Sequence, residues 1–304
     1  MKLIAPDYYS RFSCIAGACG HSCCIGWEID VDPDTREYYR TIPGEIGARL
    51  AENIVDNGET SCFRMGEGER CPFLNKDNLC DLILSLGEDS LCQICDDHPR
   101  FRNFFSDRTE IGLGLCCEAA GRLILFQSEP VRLIELDDDS EDDPSDPDES
   151  WLLSQRDALI SAAQDRTMTI DARIDALWEH SGLKIDADST HWAEFLMTLE
   201  RLDDAWADRL NELKSVREVS LSPKWDIPFE QLLVYLLYRH IPGAMDDGEL
   251  PARIAFCSLM CRLLRRMFSL NPTNENLVEL ARLYSSEIEY SDENIAAILE
   301  EINR

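Results

Sequence analysis

The sequence predicts a mainly α protein in which an irregular, cysteine-rich N-terminal domain is followed by a C-terminal helical bundle. Three observations lead there. Of 13 cysteines, 11 fall between Cys14 and Cys117. Residues 135–149 read ELDDDSEDDPSDPDE, ten acidic side chains of fifteen with two prolines. Beyond Ser150 apolar residues recur at spacings of three and four, the period of an amphipathic helix. These divide the 304 residues into a cysteine domain (1–134), an acidic linker (135–149) and a helical domain (150–304).

Within 1–134, short patterned segments are punctuated by Gly, Pro and Cys, so bound metal would replace part of the missing core. The segment GWEIDVD (Gly26 to Asp32) alternates as a short strand does. DTREYYRTI and EIGARLAENIV have helical spacing, with Asp34 as a candidate cap. CEAAGRLILFQ, from Cys117, is rich in helix formers and begins a helix after the last cysteine pair. The acidic run has no apolar area to bury and is expected to be an extended spacer. After it, about six or seven helices are expected, among them HWAEFLMTLERLDDAWADRLNEL, FEQLLVYLLYRHI and ARIAFCSLMCRLLRRMF. Leu196, Leu199, Leu202, Trp206 and Leu210 make one stripe. Breaks at Ser222-Pro223, Pro242-Gly243 and Asn271-Pro272 delimit the helices. Cys257 and Cys261 lie on one helix face and read as small buried core residues.

Composition narrows the partners. With 59 acidic against 29 basic side chains the net charge is −30, which repels nucleic acid and anionic membrane surfaces. A neutral or lysine-bearing protein surface fits better. No run approaches the ~18–20 apolar residues of a membrane span. The start, MKLIAPDYYSRFSC, lacks the apolar stretch and small-residue cleavage site of a secretory signal, so a cytoplasmic location is expected. In a reducing compartment a dense cysteine set reads as metal-binding before it reads as disulfide-bonded.

The first cysteine group is Cys14-x4-Cys19-x3-Cys23-Cys24, with Gly17, Gly20 and Gly26 allowing the backbone to loop tightly. A second group follows at Cys71, Cys80, Cys92-x2-Cys95 and Cys116-Cys117. Thiolates are soft ligands that select zinc, copper(I) or iron–sulfur clusters. Adjacent pairs such as Cys23-Cys24 point either to two centres or to one ligand beside one structural cysteine. Neither the paired CxxC of a zinc ribbon nor the ferredoxin run is present. His21 and His98 lie inside the cysteine field as ligand or structural candidates. Trp27 is expected to pack over the metal loop, and His180, His191 and His240 to be surface or satisfied helix residues. Arg100 suits either a carboxylate ligand or a buried ion pair. Gly112-x-Gly114 lacks the third glycine of a nucleotide-binding turn. No Ser-His-Asp order, phosphate loop or HExxH stands out.

These residues resemble a family. RFSCIAGACGHSCCIGWEI, CPFL with NLC following, CxxHPR ending at Arg100, and LGLCCEAAGRL are similar to the CxxCxxCC-type putative zinc- or iron-chelating proteins. Within them the match is to the flagellin lysine-N-methylases of the FliB family, over roughly residues 8 to 126. By that match Cys14, Cys19, Cys23, Cys24, Cys71, Cys80, Cys95 and Cys116 occupy shared metal positions, while Cys62, Cys92 and Cys117 look like additions of this chain. The resemblance implies methyl transfer from S-adenosylmethionine to lysine ε-amines of flagellin, with an iron–sulfur cluster of the 4Fe-4S type or zinc held by some of these cysteines. Asp96, Asp97 and Glu118 would then be candidates to draw in the lysine and accept its proton, and Arg100 to bind the cofactor carboxylate. The alternative is a non-enzymatic zinc- or iron-binding protein with a structural or redox-sensing metal.

Overall fold

The first element is a strand. In the computed structural model, which describes residues 2–56, 58, 60–138, 144–184, 186–216 and 219–304, β1 (Lys2–Pro6) opens the chain. The protein is mainly helical, as expected. It divides into two compact units: Ser13–Phe101 forms one, and the stretch ending at Phe12 joins Arg102–Arg304 in the other. The sequence pattern predicts boundaries at 134 and 149.

In the first unit a three-stranded antiparallel sheet, ordered β2–β4–β3, is built from β2 (Asp30–Val31), β3 (Ile54–Asp56) and β4 (Ser61–Phe63). β2 is the expected GWEIDVD strand, shortened to Asp30 and Val31. Helices α1 (Pro33–Thr41) and α2 (Gly44–Asn53) follow it. Asp32, not Asp34, caps α1, because Pro33 takes the first helical position and leaves Asp32 extended, accepting from the Thr35 N–H at 2.9 Å. Two short helices, α3 (Asp81–Leu86) and α4 (Gln93–Asp97), complete the unit. Its core gathers Ile29, Val31, Tyr39, Leu50, Phe63, Phe73 and Leu82 with Cys71 and Cys92, and the Phe63 and Phe73 rings meet at 5.0 Å.

β1 of the second unit lies in a four-stranded sheet ordered β5–β6–β1–β7, with β5 (Arg100–Phe104), whose first two residues belong to the first unit, β6 (Arg108–Leu113) and β7 (Leu133–Asp138). β1 runs parallel to β6, pairing Leu3 with Thr109, and antiparallel to β7, pairing Ala5 with Ile134. Part of the expected linker is therefore sheet. Glu135 and Asp137 are exposed and Leu136 half-buried, the alternation of an edge strand that blunts its rim with charge. Residues 147–149 already belong to α6 (Pro147–Ala163), which Asp146 caps by accepting from the Asp148 N–H at 2.8 Å. Residues 139–143 of the expected linker lie outside the described residues.

Between β6 and β7 runs α5 (Glu118–Leu125), the expected helix after the last cysteine pair. After α6 come α7 (Ile170–His180), α8 (Ser189–Leu196), α9 (Asp204–Leu213), α10 (Asp226–His240), the single turn α11 (Ala244–Asp247), α12 (Leu250–Phe268), α13 (Asn274–Tyr284) and α14 (Asp292–Ile302). The breaks at Ser222-Pro223, Pro242-Gly243 and Asn271-Pro272 fall between helices as expected. α10 is buried along nearly all its length, and Cys257 and Cys261 of α12 are core residues with no exposed surface.

The expected long helix through 191–213 is two. A π-helical turn at Ser285–Glu289 directs the Glu287 carboxylate onto the backbone N–H groups of Leu202, at 2.9 Å, and Asp203, at 2.7 Å. Those donors are lost to a continuing helix, Asp203 caps α9, and Leu202 leaves the apolar stripe with 70% of its surface exposed. Among the described residues no helix is long and apolar enough to cross a membrane.

Candidate metal centre

Three short segments of the first unit are stitched side by side through their backbones. The Cys71 N–H donates to the Cys24 carbonyl at 2.8 Å, the Gly26 N–H to the Glu69 carbonyl at 3.1 Å, and the Asp81 N–H to the Phe73 carbonyl at 2.8 Å. Isolated bridges join Ile25 to Arg70 and Leu74 to Cys80. Arg70 locks the turn after CPFL by donating from Nε to the Leu74 carbonyl at 3.3 Å and from Nη2 to Asn78 Oδ1 at 3.1 Å. The fourth piece is α4, tied in where Asp32 Oδ2 accepts from the Gln93 N–H at 2.8 Å. Tyr39 braces it by donating to the Ser90 carbonyl at 2.7 Å.

The result is one thiol neighbourhood. Cys24, Cys71, Cys80, Cys92 and Cys95 pack into or against the same apolar core. They also feel one another's charge: Cys24, Cys80 and Cys92 act on Cys71, and Cys24 and Cys71 on Cys95. Cys92 and Cys95 are hydrogen-bonded through their sulfurs, which pulls Cys92 down and pushes Cys95 up. Cys24 accepts from Cys23, which brings it down to about 7. Burial pushes Cys71 up to about 12 and raises Cys80. The raised thiols, Cys71, Cys80 and Cys95, ionise readily only with a cation beside them, which is the condition a soft metal supplies. Among the described residues no three His, Cys, Asp or Glu side chains stand in ion-binding geometry, so what the fold brings together is a donor set.

The remaining candidates fall differently. Cys14, Cys19 and Cys23 lie on a turn-rich segment at the surface, where Cys14 Sγ accepts from the Ala16 N–H at 3.3 Å and Cys19 donates to the His21 carbonyl at 2.9 Å. Cys62 is buried in β4. Cys116 belongs to the second unit and donates to Tyr290 Oη at 3.2 Å, with burial pushing it up to about 12. Cys117 forms the N-terminal boundary of α5, and Glu118 in its first turn pairs with Arg122 at 3.2 Å.

Asp96 and Asp97 share α4 with Cys95, and Arg100 donates from Nη1 to the Asp96 carbonyl at 2.7 Å. Trp27 donates from its indole nitrogen to the Cys23 carbonyl at 2.6 Å and packs against the thiol core. His98 lies 6.2 Å from it, ring to ring, and burial with the Arg100 charge lowers His98 to about 4, so the imidazole is neutral. Cys92, which the resemblance leaves among this chain's additions, packs in the same thiol neighbourhood. Its signal was present in the Cys92-x2-Cys95 spacing.

Comparison with known proteins gives relatives of matching kind. The chain is 30% identical over 139 residues to the lysine-N-methylase of Salmonella typhimurium, covering 43% of this chain and 34% of that protein. A lysine-N-methylase of Salmonella choleraesuis matches to the same extent. The flagellar biosynthetic protein FliU of Salmonella muenchen is 27% identical over 134 residues, 42% of this chain and 79% of its own length. Over this stretch the chain resembles the FliB family. The FliB-like match spans about a third of the length of the lysine-N-methylases. No family model matches the sequence, and no solved structure matches it.

Proposed function

We propose that the protein transfers the methyl group of S-adenosylmethionine to lysine ε-amines of a protein substrate, flagellin in the first instance. The observation that carries this reading is the similarity to two proteins named lysine-N-methylase and to the flagellar biosynthetic protein FliU. The names of the relatives support lysine methylation and a link to the flagellum, while the methyl donor and flagellin as substrate rest on the resemblance in the sequence. The acidity of the chain, −30 overall, suits a cationic lysine-bearing surface.

Five thiols sharing one packed neighbourhood support the reading of a soft metal. Cys24, Cys71, Cys80, Cys92 and Cys95 would hold it, as an iron–sulfur cluster or zinc. Bound there, the metal would supply charge to keep the thiolates ionised and would tie four chain segments together.

The chain's own residues then have definite tasks. A lysine ammonium must lose a proton before its nitrogen attacks the sulfonium methyl. The N–C bond forms as the C–S bond breaks, the pair stays on sulfur, and S-adenosylhomocysteine departs. Asp96 and Asp97 would attract the ammonium and take the proton. Arg100, held by the Asp96 carbonyl, would receive the cofactor carboxylate. Glu118 is already engaged by Arg122 and is the weaker acceptor.

The test is incubation of the anaerobically purified chain with flagellin and S-adenosylmethionine, reading methylated lysines by mass spectrometry. Methyl increments that disappear in Asp96→Asn/Asp97→Asn support the reading, and none in the native chain would remove it. A second reading is favoured by Cys71 and Cys92 lying inside the apolar core, 6% and 0% exposed. A purely structural metal would give a protein that unfolds on chelation and methylates nothing.

A further inference from the structure

In the helical unit, far along the chain from the cysteine field, α12 carries Arg262 and Arg266 one turn apart on one face. They border an open cavity of about 420 Å³ lined also by Trp178 of α7, by Asp186 and Asp188 ahead of α8 and by Ser189 at its start. The two guanidiniums are held differently. Arg262 lies 5.0 Å over the Trp178 ring and pairs with Asp175 at 2.6 Å. Its Nε is buried and, among the described residues, meets no acceptor. Arg266 donates to Ser189 Oγ at 3.0 Å and to the Ala187 carbonyl. Among the described residues it forms no ion pair with a carboxylate.

In a chain with twice as many acids as bases this is unusual. The neighbouring Arg265 takes the ordinary course and grips Asp171 with two bonds of 2.8 and 2.9 Å. Burial, and then the charge of Arg262, hold Arg266 below the usual guanidinium value against the opposing pull of Asp188 and Asp186. Like charges four residues apart on a helix repel, and a half-buried guanidinium with no carboxylate in direct contact carries an electrostatic cost. An anion in the cavity relieves both.

We propose that this cavity binds a small organic anion through a carboxylate or phosphoryl head gripped by Arg266 and Arg262. The fork geometry of guanidinium matches either head. The acidic wall sets the limit on size and charge. Asp188 spends its carboxylate on the His191 N–H at 2.8 Å and the Asp186 carbonyl takes the Trp192 indole N–H at 2.8 Å. With Asp186 and Asp188 in the lining and Asp175 already on Arg262, carboxylates outnumber the guanidiniums, so the site admits only a small, singly charged anionic head and repels a polyanion such as nucleic acid.

The experiment is calorimetric titration of the full chain with inorganic phosphate and, separately, with succinate. The expected result is saturable binding of at least one, weakened tenfold or more by Arg266→Ala and unchanged by Arg304→Ala at the exposed C-terminus. Phosphate alone names a phosphoryl ligand, succinate alone a carboxylate, and both a site that reads charge. Arg266→Gln provides the same comparison if the alanine variant does not fold, judged by circular dichroism. Binding of neither anion, or equal binding by the folded Arg266 variant, overturns the proposal.

Discussion

The Cys71 N–H donates to the carbonyl oxygen of Cys24 at 2.8 Å, so two cysteines from separate sequence groups are fixed side by side by the backbone itself. The thiol neighbourhood therefore does not depend on side-chain packing alone. It follows that single thiols within it matter unequally from thiols outside it. Cys71→Ser and Cys92→Ser are expected to remove most bound iron and acid-labile sulfide, or zinc, from anaerobically purified protein. Cys62→Ser and Cys257→Ser, buried in other packing, are expected to keep it. Metal analysis by mass spectrometry checks this, and equal metal in the Cys92 and Cys62 variants would break the five-thiol assignment.

The helices past Ser150 were legible because apolar spacing and Pro or Gly breaks are local signals, and they fell where the pattern put them. Two things were not. The strand Lys2–Pro6 has too few residues to show a period, and its partners β6 and β7 lie more than a hundred residues away, so its pairing is a long-range fact. The division of the 191–213 helix depends on the Glu287 carboxylate, which arrives from another part of the chain and competes for two backbone donors. In the cysteine field, spacing marked out thiols as candidates for a soft metal. It did not reveal that Cys92 joins Cys24, Cys71, Cys80 and Cys95, because the grouping is made by the 24–71 and 74–80 backbone contacts.

Glu230 is fully buried and bridges two arginines, meeting Arg166 at 2.8 Å and Arg173 at 2.6 Å. Arg173 is itself only 2% exposed. Glu230→Gln leaves that charge uncompensated, and breaking a buried pair from one side costs about 3–5 kcal/mol. The urea midpoint of the variant is expected to fall accordingly. A midpoint within experimental error of the native one would show that the pair adds nothing net.

Two glycines in helices predict opposite signs. A Cβ on Gly47 would lie 1.9 Å from the Ile42 carbonyl oxygen, a rigid backbone atom, so Gly47→Ala must displace the α1–α2 turn. Such overpacking costs about 1–3 kcal/mol. At Gly121 in α5 the nearest atom would be 3.7 Å away, ordinary contact. Gly121→Ala is expected to stabilise by about 0.4–1 kcal/mol through helix propensity and a less flexible unfolded chain. Thermal unfolding of the two variants against the native protein checks both directions.

The buried Glu289 carboxylate sets the acid limit of the helical unit. It accepts from Tyr235 Oη at 2.6 Å and meets His240 Nε2 at 2.8 Å. Burial opposes its ionisation, but the Arg239 charge and the His240 hydrogen bond outweigh burial and hold it at about 2. His240 is lowered from its usual value, chiefly by burial. For both groups the unfolded chain binds protons more readily than the folded one, so stability falls as pH falls. The His240 contribution is present above about pH 6.5 and is lost below it. The Glu289 contribution is present above about pH 4.3 and is lost progressively toward pH 2, amounting to about 3 kcal/mol. Urea unfolding followed by far-ultraviolet circular dichroism should therefore show a midpoint that declines gently below neutrality and steeply below about pH 4.3. Glu289→Gln should remove the steep part while lowering stability at neutral pH, because Arg239 and His240 lose their buried anion. A variant that keeps the native acid slope would place the limiting carboxylate elsewhere.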